Sequence, residues 1–225
     1  MFKTLLSKPR CLALAAGVGL ALAQASASAA VVVLDFEGVG DLNAVGNFYN
    51  GGAGTNYGIQ FSNDTLAVVD ADAGGSGNFA NEPSASTIMF FLNANNAILN
   101  MAAGFDTGFS FFYSSSTAAS VTVWDGLNGT GNLLGTLNLS AQGFNNCTGD
   151  PGGSFCNWTA VGVNFAGTAR SINFGGTANQ TGFDDITFGS ATAGGGGNEV
   201  PEPGTLGLLG LGLLGVAGLR RRSQS

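Results

Sequence analysis

Carboxylates are the chemistry this sequence has to offer. Between Val31 and Glu199 it carries thirteen Asp and Glu residues against one basic side chain, Arg170, and the whole chain has no histidine. Bases other than carboxylate, and the usual activators of a serine or cysteine nucleophile, are therefore missing. Two acidic pairs stand near the ends of this region, Asp35 and Glu37 in LDFEG, and Asp184 and Asp185 in GFDDITF. Alternation along the second segment puts Asp184 on the face of Ile186 and Phe188, where a buried carboxylate without a partner costs several kcal/mol. Something must satisfy it: backbone amides at a strand end would serve, and so would a cation. Two carboxylates flanking a groove could also hydrolyse a glycosidic bond, but no spacing here singles out a catalytic pair. The protein reads as a non-enzyme. Its acidity excludes nucleic acid and anionic lipid headgroups as partners and would attract calcium.

The elements that must position these groups are short strands. Long helical patterns are missing, and apolar runs alternate with Gly, Asn, Ser and Thr clusters. Strands are expected at residues 31–36, 58–61, 66–69, 87–92, 109–113, 120–124, 133–139, 158–165, 170–174 and 184–188. By period two, Phe109, Phe111 and Tyr113 share a face, as do Val121 with Val123 and Ile172 with Phe174. Asn128–Asn132, NGTGN, reads as a hairpin turn with glycines at positive φ. The expected fold is all-β, a two-sheet antiparallel sandwich of jelly-roll type, with an up-and-down barrel as the alternative. It would occupy residues 31–189. A Gly-rich linker, 190–199, would follow as a flexible tether. Residues 70–86 read as a long loop over a sandwich edge.

Cys147 and Cys156 form an even pair once Cys11 leaves with a leader, and a disulfide is expected in an oxidising compartment. A metal site on them would need further thiolates or imidazoles. Trp124, Trp158, Tyr49, Tyr57 and Tyr113 could stack on sugar rings, although an aromatic on a strand is usually packing. Six N-x-S/T triplets, beginning at Asn63, Asn128, Asn138, Asn146, Asn157 and Asn179, arise in a composition that favours them by chance, and none is assigned as a glycosylation site.

The two ends carry targeting information. Lys3, Lys8 and Arg10 precede an apolar stretch to Leu22 and then AQASASAA, a signal peptide over residues 1–30 with cleavage by signal peptidase near Ala29 or Ala30. Residues 200–225 begin VPEPGT, continue as a Leu/Gly run from Leu206 to Leu219, and end on Arg220, Arg221 and Arg222. A helix over residues 205–219 would reach roughly 22 Å, short of a hydrocarbon core of roughly 30 Å. The arginines hold the C-terminus on the cytoplasmic side, so the sandwich lies outside. Pro201 and Pro203 keep the neck extended and open to a protease. A plain single-span anchor is the alternative.

In residue order and position this tail resembles the PEP-CTERM sorting signal of Gram-negative surface proteins, with Pro201, Glu202 and Pro203 as the motif, Leu206 to Leu219 as the span and Arg220 to Arg222 as the basic end. Gly204 departs from the serine or alanine common there. The resemblance implies that an exosortase, a membrane-embedded transpeptidase of bacteria that make extracellular polysaccharide, processes the chain after transient inner-membrane anchorage. It implies a structural or adhesive role at the cell surface or in a biofilm matrix. A second reading is a carbohydrate-binding module acting on that polysaccharide, and a third is a carboxylate-based glycosidase. More weakly, LDFEG and GFDDITF resemble segments of jelly-roll carbohydrate-binding modules that hold a structural calcium. That resemblance implies Asp184 and Glu37 as direct ligands, with Asp185 or Asp35 beside them and carbonyls or waters completing the shell.

Overall fold

A computed structural model describes residues 31–142, 147–148 and 152–195. The expected leader, the sorting motif at Pro201 to Pro203, the apolar span and the arginines at 220–222 lie outside these residues. Eleven strands follow in chain order: β1 (Val32–Leu34), β2 (Ile59–Phe61), β3 (Thr65–Val69), β4 (Thr87–Phe91), β5 (Asn96–Phe105), β6 (Gly108–Ser115), β7 (Ala119–Trp124), β8 (Leu133–Leu139), β9 (Thr159–Asn164), β10 (Ala169–Gly175) and β11 (Thr181–Phe188). They form two antiparallel sheets. One has six strands in the order β3-β4-β11-β6-β9, with β1 also paired to β11, and the other has five in the order β2-β5-β10-β7-β8. From β4 onward nearly every connection crosses between sheets. Among the described residues no helix is long and apolar enough to cross a membrane.

The two inner faces meet in a phenylalanine-rich core. Phe109, Phe111 and Tyr113 of β6, Val121 and Val123 of β7, and Ile172 and Phe174 of β10 all enter it, as their period-two spacing requires. Phe174 is central, edge-on to Phe109, Phe111 and Phe183 at ring separations of 6.0, 5.9 and 5.0 Å. The expected hairpin joins β7 to β8, with Asn128 at φ 58° and Gly129 at φ 67°.

One expectation is corrected in β11. Phe183, Ile186 and Phe188 all reach the core, which strict alternation forbids. The register with β6 shifts between Asp184 and Thr187, and Asp185 takes φ 48°, so an extra residue reverses the parity of the strand. Asp184 is opposite the half-buried Phe112 rather than a core residue. It therefore lies on the outer face of the six-stranded sheet, and it is still fully buried. What buries it is a loop, not the core.

The first residues of the expected linker, 190–195, pack against the sandwich. Ser110 Oγ donates to Ser190 O at 2.9 Å, Gly194 N donates to Thr187 Oγ1 at 3.1 Å, and Ala191 runs directly over Gly162 of β9. The segment ends beside the first strand, where a methyl group on Gly195 would stand 3.1 Å from Cγ atoms of both Val31 and Val33.

Candidate functional site

The loop between β3 and β4 buries Phe79 but is otherwise polar and glycine-rich, so side-chain hydrogen bonds also hold it. Three carboxylates do this, each at a different point. Asp41, in the turn-rich segment after β1, accepts from Val69 N at 3.0 Å, Ser76 N at 3.1 Å and Ser76 Oγ at 2.6 Å. The Ser76 hydroxyl is the main reason its pKa falls below the usual carboxylate value. Glu37 accepts from Ser86 N at 2.8 Å and Thr87 N at 2.7 Å on one oxygen, and from the hydroxyls of both residues on the other. Asp184 receives Ser84 N and Ser84 Oγ. Burial outweighs these bonds and pushes its pKa up to about 7, while burial first and Asp35 second raise that of Asp185.

The residues expected as calcium ligands take part in these contacts. Among the described residues no three His, Cys, Asp or Glu side chains gather closely enough to hold an ion. Glu37 and Asp184 spend their oxygens on separate sets of N–H and O–H donors, whose hydrogens occupy the directions a cation would need. Asp185 faces Asp35 closely enough to feel its charge. In these contacts Glu37 and Asp184 act as carboxylate clamps on the loop.

The clamped loop roofs a groove on the outer face of the six-stranded sheet. Its volume is about 260 Å³, and its walls include Val68, Ile88, Phe90 and Trp158, with Asn78 and Asn179 among the polar lining. Phe79 meets Trp158 edge-on at 6.3 Å, and Trp158 Nε1 donates to Ala80 O at 3.1 Å. The second wall is tied to the loop through its backbone. Phe79 and Phe155 form a parallel bridge, and Ser154 N donates to Asn78 O at 2.6 Å. Cys156, next to Phe155, is disulfide-bonded to Cys147 with Cα atoms 5.5 Å apart. Such a site, apolar with a few amides at its margin, suits a small amphipathic group.

The five candidate sugar-stacking aromatics divide sharply. Tyr113 and Tyr49 are 3% and 4% exposed and belong to the core. Tyr49 Oη accepts from Phe36 N at 2.9 Å, and burial raises its pKa. Tyr57 stacks on Tyr49 at 6.2 Å. Trp158 lines the groove. Trp124, half-buried, lies on the outer face of the five-stranded sheet, with Nε1 donating to Thr122 Oγ1 at 2.9 Å. Backbone amides were expected as partners of Asp184, and Ser84 N and Asp185 N are among them; that the serine belongs to a loop one hundred residues away, and that Asp41 and Glu37 clamp the same loop, has no local sign in the sequence.

None of the curated proteins matches the chain in sequence. Among solved structures, it is similar to a cleaved adhesin domain of Lys-gingipain from Porphyromonas gingivalis, with 11% identity and a TM-score of 0.44 over 71% of this chain and 98% of that one. A carbohydrate-binding module of lichenase 5A from Cellvibrio mixtus gives 16% and 0.33 over 57% and 87%. A carbohydrate-binding module of family 35 from Paenibacillus barcinonensis gives 15% and 0.33 over 59% and 92%. Residues 199–222 match the family described as the PEP-CTERM protein-sorting motif. Behind its all-β sandwich, the chain carries a PEP-CTERM sorting motif.

Proposed function

We propose that this is an exported surface protein, held transiently in the inner membrane by its tail and processed near Pro201 to Pro203 by an exosortase. It would then serve as a structural or adhesive component of an extracellular polysaccharide matrix. The sorting motif at residues 199–222 carries this reading. The physical order of extended neck, short apolar span and arginine stop supports it. On this reading the sandwich, jelly-roll-like in its crossing connections, is delivered rather than catalytic. Intact mass of the protein from cells with and without the candidate exosortase tests it. A C-terminus near Pro201 to Pro203 only in the presence of the enzyme is expected; retention of Arg220 to Arg222 in both strains would leave a plain membrane anchor.

A second reading, carbohydrate binding within that matrix, is favoured by Trp124. Its indole sits at the surface of a sheet rather than in the core, among amide and hydroxyl side chains. Retention of the protein on matrix polysaccharide, weakened by loss of a surface aromatic, would support it. Turnover of a glycan abolished by one carboxylate substitution would instead favour a glycosidase.

A further inference from the structure

Strand register arranges the outer face of the five-stranded sheet into rows. In the first, Gln60 of β2 faces Asn100 of β5, Asn100 faces Ser171 of β10, and Ser171 faces Trp124 of β7. The turn at residues 126–129 covers the middle of this row: Ser171 is fully buried, its hydroxyl donating to Gly126 O and accepting from Gly129 N. In the next, Asn173 of β10 lies between Ile98 and Thr122, and Thr122 faces Thr136 of β8. The third includes Asn96, Ser120 and Asn138. Leu99, Ile172 and Val123, which alternate with these residues, face the core. The rows hold no ionisable side chain, in a domain whose acidic groups far outnumber its one arginine.

These polar groups are held in place. Asn100 Nδ2 donates to Asn128 Oδ1 at 2.7 Å while Asn128 N donates back to Asn100 Oδ1 at 2.8 Å. Asn96 Nδ2 donates to Asn173 Oδ1 at 3.3 Å. The bond from Trp124 Nε1 to Thr122 Oγ1, two residues back on the same strand, lays the indole along the sheet instead of letting it stand upright. Fixed amides and a reclining indole lose little freedom on meeting a ligand.

We propose that this face binds a neutral glycan chain lying across the strands, an inference that rests on the carbohydrate-binding reading above. Each sugar hydroxyl both donates and accepts, and Asn, Gln, Ser and Thr offer both functions in return. The indole presents an apolar face to the C–H side of a sugar ring. An acidic polymer finds no cation in the rows and meets the field of the surrounding carboxylates. Beside the turn, the part of the face that stays open spans β10, β7 and β8, roughly 10 Å across, enough for about two sugars rather than a single residue.

The test separates the matrix polysaccharide of the producing cells into a neutral and an acidic fraction by anion exchange. Each fraction is then cast into gels for affinity electrophoresis of the full mature protein. The neutral fraction is expected to retard the wild type. Trp124→Ala and Asn173→Asp are each expected to weaken this about tenfold, as loss of an aromatic anchor or entry of a charge does. Trp158→Ala, in the groove, should bind as the wild type does, and thermal melts confirm that each variant is folded. Retardation by the acidic fraction alone, or neutral binding lost in Trp158→Ala but kept in the two face variants, overturns the proposal while leaving carbohydrate binding intact. Retardation by neither fraction overturns both.

Discussion

Ser84 and Asp184 are one hundred residues apart in the chain, yet the amide and hydroxyl of the serine both reach the same carboxylate, at 2.8 Å each for the shorter contacts. The hydroxyl also lies 3.2 Å from Asp35 O. When Asp184 takes a proton, Ser84 Oγ can accept it in a hydrogen bond and turn its own hydrogen to that carbonyl. The clamp therefore survives protonation, and what ionisation adds is the cost of a buried charge.

That cost has a sign. Because burial raises the pKa of Asp184 from 3.8 to about 7, the folded state holds its proton more tightly than the unfolded state does. Its contribution to stability is complete below the unfolded value and is lost as pH rises through about 7, by up to roughly 4 kcal/mol. Asp185 shifts in the same direction. Asp41 shifts the other way, so its contribution is lost only as pH falls below the ordinary carboxylate range. Thermal melts between pH 4 and 8 should show stability falling across this span, and Asp184→Asn, which mimics the neutral acid, should flatten the slope. An unchanged slope in that variant would assign the effect elsewhere.

Calcium provides a second test of the same carboxylates. With Glu37 and Asp184 already facing hydrogen donors, millimolar calcium or its removal by a chelator should leave the Tm unchanged. A rise of several degrees with calcium, abolished by Glu37→Gln, would mean that the clamps reorganise around the ion.

The disulfide should matter more than its small loop suggests. Closing the nine-residue separation between Cys147 and Cys156 is worth about 3 kcal/mol by chain entropy. It also anchors Phe155, whose backbone pairs with Phe79 across the groove. Replacing both cysteines with serine should lower stability by that order in urea titrations. It should also increase cleavage in the loop between β3 and β4 under limited proteolysis. Loss of stability without new cleavage would separate the disulfide from the roof.

Gly162 tests the docked tail. A methyl group there would stand 2.0 Å from Ala191 O, which no rotation relieves. Gly162→Ala should cost about 1–3 kcal/mol or displace residues 190–195, seen as faster proteolysis just before the sorting motif. An unaltered cleavage pattern with unaltered stability would contradict the packing of Ala191 on β9.

Ten of the eleven strands are legible from apolar runs between turn residues, and the missing one is instructive. β5, NAILNMAAGF, mixes Ala, Asn, Met and Gly and alternates weakly, yet it lies between β2 and β10. Its conformation comes from ladders on both sides, a tertiary cause that local propensity does not carry. Asp184 teaches a related lesson. Its burial could be inferred from Ile186 and Phe188, but the face could not, because one residue at positive φ inverts the count. The clamps by Asp41, Glu37 and Asp184 join segments 28 to 100 positions apart, and no spacing along the chain announces them.

Val31 and Gly195 leave the sandwich side by side. A domain whose entry and exit share one point can be spliced into a surface loop of another protein without prying that host apart, or reconnected end to end and opened at a different turn. New ends would have to avoid the turn at Asn128–Gly129, whose backbone amides are bonded to Asn100 and Ser171 on the sheet.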